Sequence, residues 1–179
     1  MHNSRNLWDS RTQRVTSKPL RPAGFGAALA LAALGSASAS TSTGSFPVTL
    51  TIQGVCSLQT ASTLAFGAQT AIASNLDSTS SIAVLCTNAT PYTVGLSAGS
   101  GSGATVATRI LTNGAATLPY SIYQDAAHSQ VWGFTTGVDT QSGTGTGSNQ
   151  TFTAYGRVPP ASNLTAGAYT DTVSVTVTY

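Results

Sequence analysis

TVSVTVTY, residues 172–179, sets Val173, Val175, Val177 and Tyr179 against Thr172, Ser174, Thr176 and Thr178. Successive side chains of an extended strand point to opposite faces, so this period of two puts all four apolar groups on one face. FPVTLTIQ, residues 46–53, repeats the pattern near the other end, with Phe46, Val48, Leu50 and Ile52 alternating with Pro47, Thr49, Thr51 and Gln53. Shorter runs of the same kind lie between them, at 54–58, 63–66, 81–87, 91–97, 108–112, 118–124, 131–134 and 151–157. The 81–87 run carries Ile82, Val84 and Cys86 on one face. AGSGSGA at 98–104 and QSGTGTGSN at 141–149 read as turn-rich breaks, and Asn113-Gly114 is a tight-turn signal. No stretch keeps a helical apolar period for three turns. Many short strands joined by Gly-rich turns predict an all-β chain folded as an Ig-like β-sandwich.

The first 39 residues read as a secretory signal. Arg5, Arg11, Arg14, Lys18 and Arg21 form a basic leader, followed by GFGAALALAAL at 24–34. That apolar core is too short to span a membrane, which takes roughly 20 residues. Small residues at Ala37 and Ala39 place cleavage between Ala39 and Ser40. The expected organisation is therefore a signal peptide at 1–39, a flexible lead and N-terminal strand at 40–53, and one domain at 54–179. Such a chain is exported.

Beyond Ala39 the charge balance changes sign. Arg109 and Arg157 stand against Asp77, Asp125, Asp139 and Asp171, a net charge of −2 with no Lys and no Glu. A nucleic-acid partner needs a basic stripe to neutralise phosphates, and none exists here. The same scarcity argues against an anionic membrane surface. Cys56 and Cys86 are the only cysteines, and export carries them to an oxidising compartment, so a disulfide is expected. Two cysteines without nearby histidines do not make a zinc site. No cofactor is implied.

Catalytic signals are weak. His128, in AAHSQ, is the one histidine beyond the leader and reads as a solvated loop residue. A Ser-His-Asp arrangement needs a histidine set between nucleophile and acid, and no Gly-x-Ser-x-Gly elbow is present. Asp171 reads as a turn-capping or strand-entry residue, and Arg157 as a surface or ion-pair residue. The chain is not expected to be an enzyme. A monomeric carbohydrate-binding sandwich is the alternative reading, with Trp132 and Tyr155 as its loop aromatics.

The N-terminal strand on its flexible lead is open to two readings. It can be the first strand of its own sheet, or it can complete a neighbour's sheet by β-augmentation. A wider set of landmarks bears on this. LAFG at 64–67, IAVLCT at 82–87, PYTVGLSAG at 91–99, RILT at 109–112, LPYSIYQD at 118–125, YGRVP at 155–159 and GAYTDTVSVTVTY at 167–179 occur in order. Together with the apolar strand running into Cys56, this order resembles the spore coat protein U family, which includes pilins of archaic (Csu-type) chaperone–usher fibres. The resemblance covers essentially all of the chain beyond the leader. It implies an incomplete Ig-like sandwich lacking its final strand, in a fibre subunit that polymerises by donor-strand exchange. The implied partners are a periplasmic chaperone, an outer-membrane usher and neighbouring pilin subunits. The implied route is through the periplasm to the cell surface, in a fibre serving adhesion or biofilm formation. The donor would be Phe46, Val48, Leu50 and Ile52. Val173, Val175, Val177 and Tyr179 would flank the empty groove, and Cys56–Cys86 would match the family's disulfide. Pro47 departs from an ideal donor, because it cannot give a ladder hydrogen bond.

Overall fold

The computed structural model describes residues 38–179, so residues 1–37 of the expected signal peptide lie outside it. The chain divides into two units, Met1–Pro47 and Val48–Tyr179. The described part of the first, residues 38–47, has no regular secondary structure. The second unit holds eight strands: β1 (Cys56–Ala61), β2 (Leu76–Cys86), β3 (Pro91–Leu96), β4 (Arg109–Asn113), β5 (Ala116–Tyr123), β6 (Gln141–Thr144), β7 (Asn149–Val158) and β8 (Val175–Thr178).

The strands form two antiparallel sheets, ordered β1-β2-β7-β5-β4 and β6-β3-β8. This is the all-β, Ig-like sandwich that the alternation predicts. Each long strand turns one face inward. On β2 that face carries Ile82, Val84 and Cys86; on β7 it carries Phe152, Ala154, Gly156 and Val158. Their outward neighbours include Thr79, Ser81, Thr151 and Thr153, along with Asp77 and Arg157. The centre is packed by Val84, Val94, Leu96 and Trp132, all essentially without solvent exposure. The Trp132 indole N–H is satisfied inside, donating to the Val94 carbonyl at 2.8 Å. The Phe152 ring meets Trp132 and Tyr92 edge-to-face at 6.3 and 6.1 Å.

Asn113-Gly114 does make the β4–β5 hairpin turn, with Gly114 at a φ of 61° that a side chain resists. Several expectations differ from what forms. Residues 46–53 form no strand, since a lone extended segment has no ladder to join. Residues 63–66 are irregular, and 131–134 contribute a single bridge, Tyr123↔Val131. Conversely, β6 arises inside the segment read as turn, where Gln141–Thr144 pairs with β3. A two-sided polar edge strand carries no apolar alternation to betray it.

Candidate assembly groove

No ladder joins the two sheets along the side where β1 and β8 approach each other. β1 pairs only with β2, and β8 pairs only with β3, so each presents a free edge. A groove of about 310 Å³ opens beside them. Leu64 and Phe66 line it from the segment after β1, Val173 and Val175 from the β8 side, and Ile82 and Leu96 from the core. Leu58 shows what this opening does. It stands opposite Val84, a fully buried residue, on the inward face of β1, and yet is 43% exposed.

One wall is built by an irregular strap that follows β1. The Ser62 amide donates to the Ser81 carbonyl at 2.9 Å, and the Ser78 hydroxyl to the Ala65 carbonyl at 2.6 Å. Leu64 and Phe66 then lie against Gly156 of β7, where a Cβ would come within 2.6 Å of Leu64 and 3.0 Å of Phe66. The Phe66 ring meets Tyr120 edge-to-face at 6.2 Å. Cys56 and Cys86 stand directly opposite each other and are disulfide-bonded, which fastens the edge strand β1 to β2.

The other wall is held by Asp171. One carboxylate oxygen accepts from the Ser100 amide and hydroxyl at 2.7 and 2.8 Å and from the Thr172 amide at 2.7 Å. The other accepts from the Tyr120 hydroxyl at 2.8 Å. Burial works to raise the Asp171 pKa, but these donors outweigh it and hold the carboxyl below its usual range. Burial, with the bond to Asp171, pushes the Tyr120 phenol well above its usual value. Asp171 is thus more than the turn cap expected of it: it ties β5, the 97–106 loop and the approach to β8 together.

Behind the groove Arg109 is completely buried. Its guanidinium donates to four main-chain carbonyls: Ser97 at 2.8 Å, Val106 at 2.9 Å, Leu96 at 3.2 Å and Trp132 at 2.7 Å. Desolvation pushes its pKa down. Sequence reading missed this role, although the signal was present. Arg109 and Leu111 are two apart on β4, so the strand period already places the arginine on the inward face.

Phe46, Val48, Leu50 and Ile52 are 81, 84, 84 and 72% exposed. Of the residues expected to flank a groove, Val173 and Val175 line it, although Val173 precedes β8 rather than belonging to it. Val177 packs against the core, whereas Tyr179 is exposed and takes no part in the lining. Two aromatic or basic residues sit elsewhere than expected. His128 is not solvated: a turn capped by Asp125 buries its side chain beside Tyr123 and Tyr155, at ring distances of 5.1 and 6.4 Å. Trp132 is a core residue, not a loop aromatic offered to a sugar. Arg157 does make an ion pair, a two-pronged one with Asp77 across β2 and β7 at 2.7 Å for both bonds. Among the described residues no three His, Cys, Asp or Glu side chains gather as metal ligands.

Comparison with known proteins follows the same outline. The Spore Coat Protein U domain matches residues 42–176. "Protein U" of Myxococcus xanthus is 33% identical over 168 residues, covering 86% of this chain and 93% of that protein. A solved structure with the same fold is the CsuC–CsuE chaperone–tip adhesion subunit pre-assembly complex from archaic chaperone-usher Csu pili of Acinetobacter baumannii. The TM-score there is 0.52 at 23% identity, and the match covers 72% of this chain but only 40% of that one.

Proposed function

This chain belongs to the Spore Coat Protein U domain family, and on that premise we propose that it is a structural subunit of a chaperone–usher surface fibre, assembled by donor-strand exchange. The observation that carries the reading is a pairing of opposites within one chain. An apolar groove lies open beside two free strand edges, while an alternating apolar segment, residues 46–52, stands in solvent without a sheet. Natural sandwiches shield their edges, so an edge flanking an open core calls for a strand to cover it.

The groove supplies what a donor needs: apolar surface for alternate side chains and unpaired main-chain groups on β1 and β8. Burying each large apolar side chain is worth about 1.5–3 kcal/mol, so Val48, Leu50 and Ile52 alone offer roughly 5–9 kcal/mol before ordering costs. Pro47 removes one amide and sits near the start of the segment, where a ladder tolerates it. In this reading residues 1–39 are the signal peptide, 40–53 the lead and donor, and 54–179 the body. A periplasmic chaperone fills the groove during transit, an outer-membrane usher exchanges it for a neighbour's donor, and the finished fibre serves adhesion or biofilm formation. The work is mechanical, so no catalytic group is called for. The carbohydrate-binding alternative loses its principal residue with the burial of Trp132.

The test is a pair of substitutions made with the chaperone co-expressed. Ile52→Asp buries a charge without a partner only when the donor enters a groove. It should abolish the ladder seen in unboiled surface-sheared material and leave the chaperone-bound subunit soluble. Val175→Asp, in β8, should instead prevent folding and chaperone capture. If Ile52→Asp unfolds the chaperone-bound subunit as badly as Val175→Asp, residues 46–52 belong to their own domain and the proposal fails.

A further inference from the structure

Resting on the strand-donation reading, we infer that Gln59 sets the register of the incoming strand, and that its counterpart is Pro47 of the donating copy. β1 is not a continuous ladder. Leu58 stands opposite Val84 and Thr60 opposite Ala83, so Gln59 is an extra residue, a bulge, that β2 does not match. Its side-chain amide turns back along the strand and donates to the Ser57 hydroxyl at 2.6 Å. Pairing resumes beyond it, with Ala61 opposite Ile82 and the Ser62 amide on the Ser81 carbonyl at 2.9 Å. The bulge therefore lies within the free edge that a donor meets, not at its end.

Counting faces locates the partner. Val84 and Ile82 are buried, so the β1 residues opposite them, Leu58 and Ala61, share their inward face. Those two are three positions apart, whereas the donor's inward residues, Phe46, Val48, Leu50 and Ile52, are two apart. A donor that covers exposed Leu58 as well as the cavity beyond it must set one outward residue against Gln59 and Thr60 together. Pro47, Thr49 and Thr51 are the candidates. A bulge disrupts the ladder, so the residue facing it loses its main-chain partner on β1. Thr49 or Thr51 there would leave an amide buried without an acceptor, whereas Pro47 has none to lose. Direction follows from the cavity, whose wall on this side is Ala61, Ser62, Leu64 and Phe66. A donor parallel to β1 carries Val48, Leu50 and Ile52 past the bulge into it; an antiparallel one carries only Phe46. Phe46 then covers Leu58, Val48 lies beside Ala61, and the proline nitrogen faces the break in β1.

Cross-linking reads the register. Neighbouring strands lie about 4.8 Å apart, within reach of a disulfide, and one inward step along a strand moves the partner by about 6.6 Å, out of reach. In chains carrying Ala61→Cys, polymers with Val48→Cys should give a ladder that survives boiling without reductant and collapses with it. Phe46→Cys, Leu50→Cys or Ile52→Cys in place of Val48→Cys should give monomers after boiling. A covalent ladder from any of those three overturns the register. So does the absence of one from Val48→Cys while its unboiled ladder persists. Pro47→Ala, in the otherwise unchanged chain, adds an amide that finds no acceptor at the bulge. Its unboiled ladder should dissociate at no higher temperature than that of the unsubstituted protein, and a clear rise would place an acceptor where the bulge denies one. Failure of strand donation itself is read separately, as an unboiled ladder that survives Ile52→Asp.

Discussion

Arg109→Lys keeps the charge and changes the geometry, which makes it the sharpest probe of how the groove is supported. The guanidinium reaches four carbonyls from three nitrogens in a fixed plane, linking the end of β3, the 97–106 loop and Trp132. A lysine ammonium is a point with three donors and no fork; it must lose at least one of the four bonds, and failing to reach one side of the old fork removes two. Each bond to a charged group contributes about 1.5–3 kcal/mol net, so losing two costs roughly 3–6 kcal/mol. That is a large share of the 5–15 kcal/mol typical of a domain. With a urea slope of about 2 kcal/mol/M, the unfolding midpoint should fall by roughly 1.5–3 M. Trp132, whose carbonyl accepts one of the bonds, is the only tryptophan beyond the leader and reports unfolding of the polymerised protein by fluorescence. Arg109→Met tests the opposing view. If burying the charge were the dominant cost, an apolar replacement would be neutral or stabilising, as it is for some buried ion pairs. Here four carbonyls would be orphaned, so Met should be worse than Lys. A Met variant as stable as wild type, or a Lys variant within about 1 kcal/mol of it, would refute the reasoning.

Three further outcomes follow from the groove walls. The Asp171 and Asp77 pKa values are depressed by folding, so each stabilises above the ordinary carboxylate pKa of about 4, and that stability is lost as pH falls through the folded values; polymers should weaken in that acid window, and Asp171→Asn should be less stable at neutral pH and show a flatter acid limb in a thermal-shift series. Replacing both Cys56 and Cys86 by Ala removes a link between residues 30 apart, worth about 3–4 kcal/mol by chain entropy, and amide exchange at 57–61 should accelerate more than exchange in β7. Gly156→Val places methyl groups where Leu64 and Phe66 lie, at 2.6 and 3.0 Å from the first added carbon, and should cost about 1–3 kcal/mol while reducing polymer yield at matched expression.

The apolar alternation made much of this legible. Strands with one inward face, such as β2 and β7, announce themselves through residues two apart, and the N-terminal segment announces an apolar face whether or not a sheet is present to take it. β6 could not be read this way, because Gln141–Thr144 has no apolar face and owes its structure to the backbone of β3. The strap at 62–66 was misread for the converse reason: Leu64 and Phe66 do alternate, but they reach Gly156 of β7 as an irregular crossing rather than as a ladder partner. His128 was misplaced because nothing in AAHSQ reveals that Tyr123 and Tyr155, far apart in sequence, converge on its ring. Polar keystones such as Tyr120–Asp171 join residues 51 apart, a distance over which local pattern carries no information.

The placement of the strong fastenings has its own logic. An open groove invites its walls to collapse inward, because exposed core side chains gain by meeting each other. Here the walls are fastened by ties within and behind them, several made by residues that line the groove. The disulfide anchors the β1 edge, the inward serines of β2 hold the strap, and Asp171 secures the approach to β8. None of these ties uses the free main-chain edges of β1 and β8. Holding the walls apart in this way spares an incoming strand the cost of reopening the site, and preorganisation of that kind raises affinity without adding a contact. The same ties explain why the body can be charge-poor and still hold together: Arg109 and Asp171, two of its six charged side chains, are spent on main-chain carbonyls and amides that the irregular loops leave unpaired.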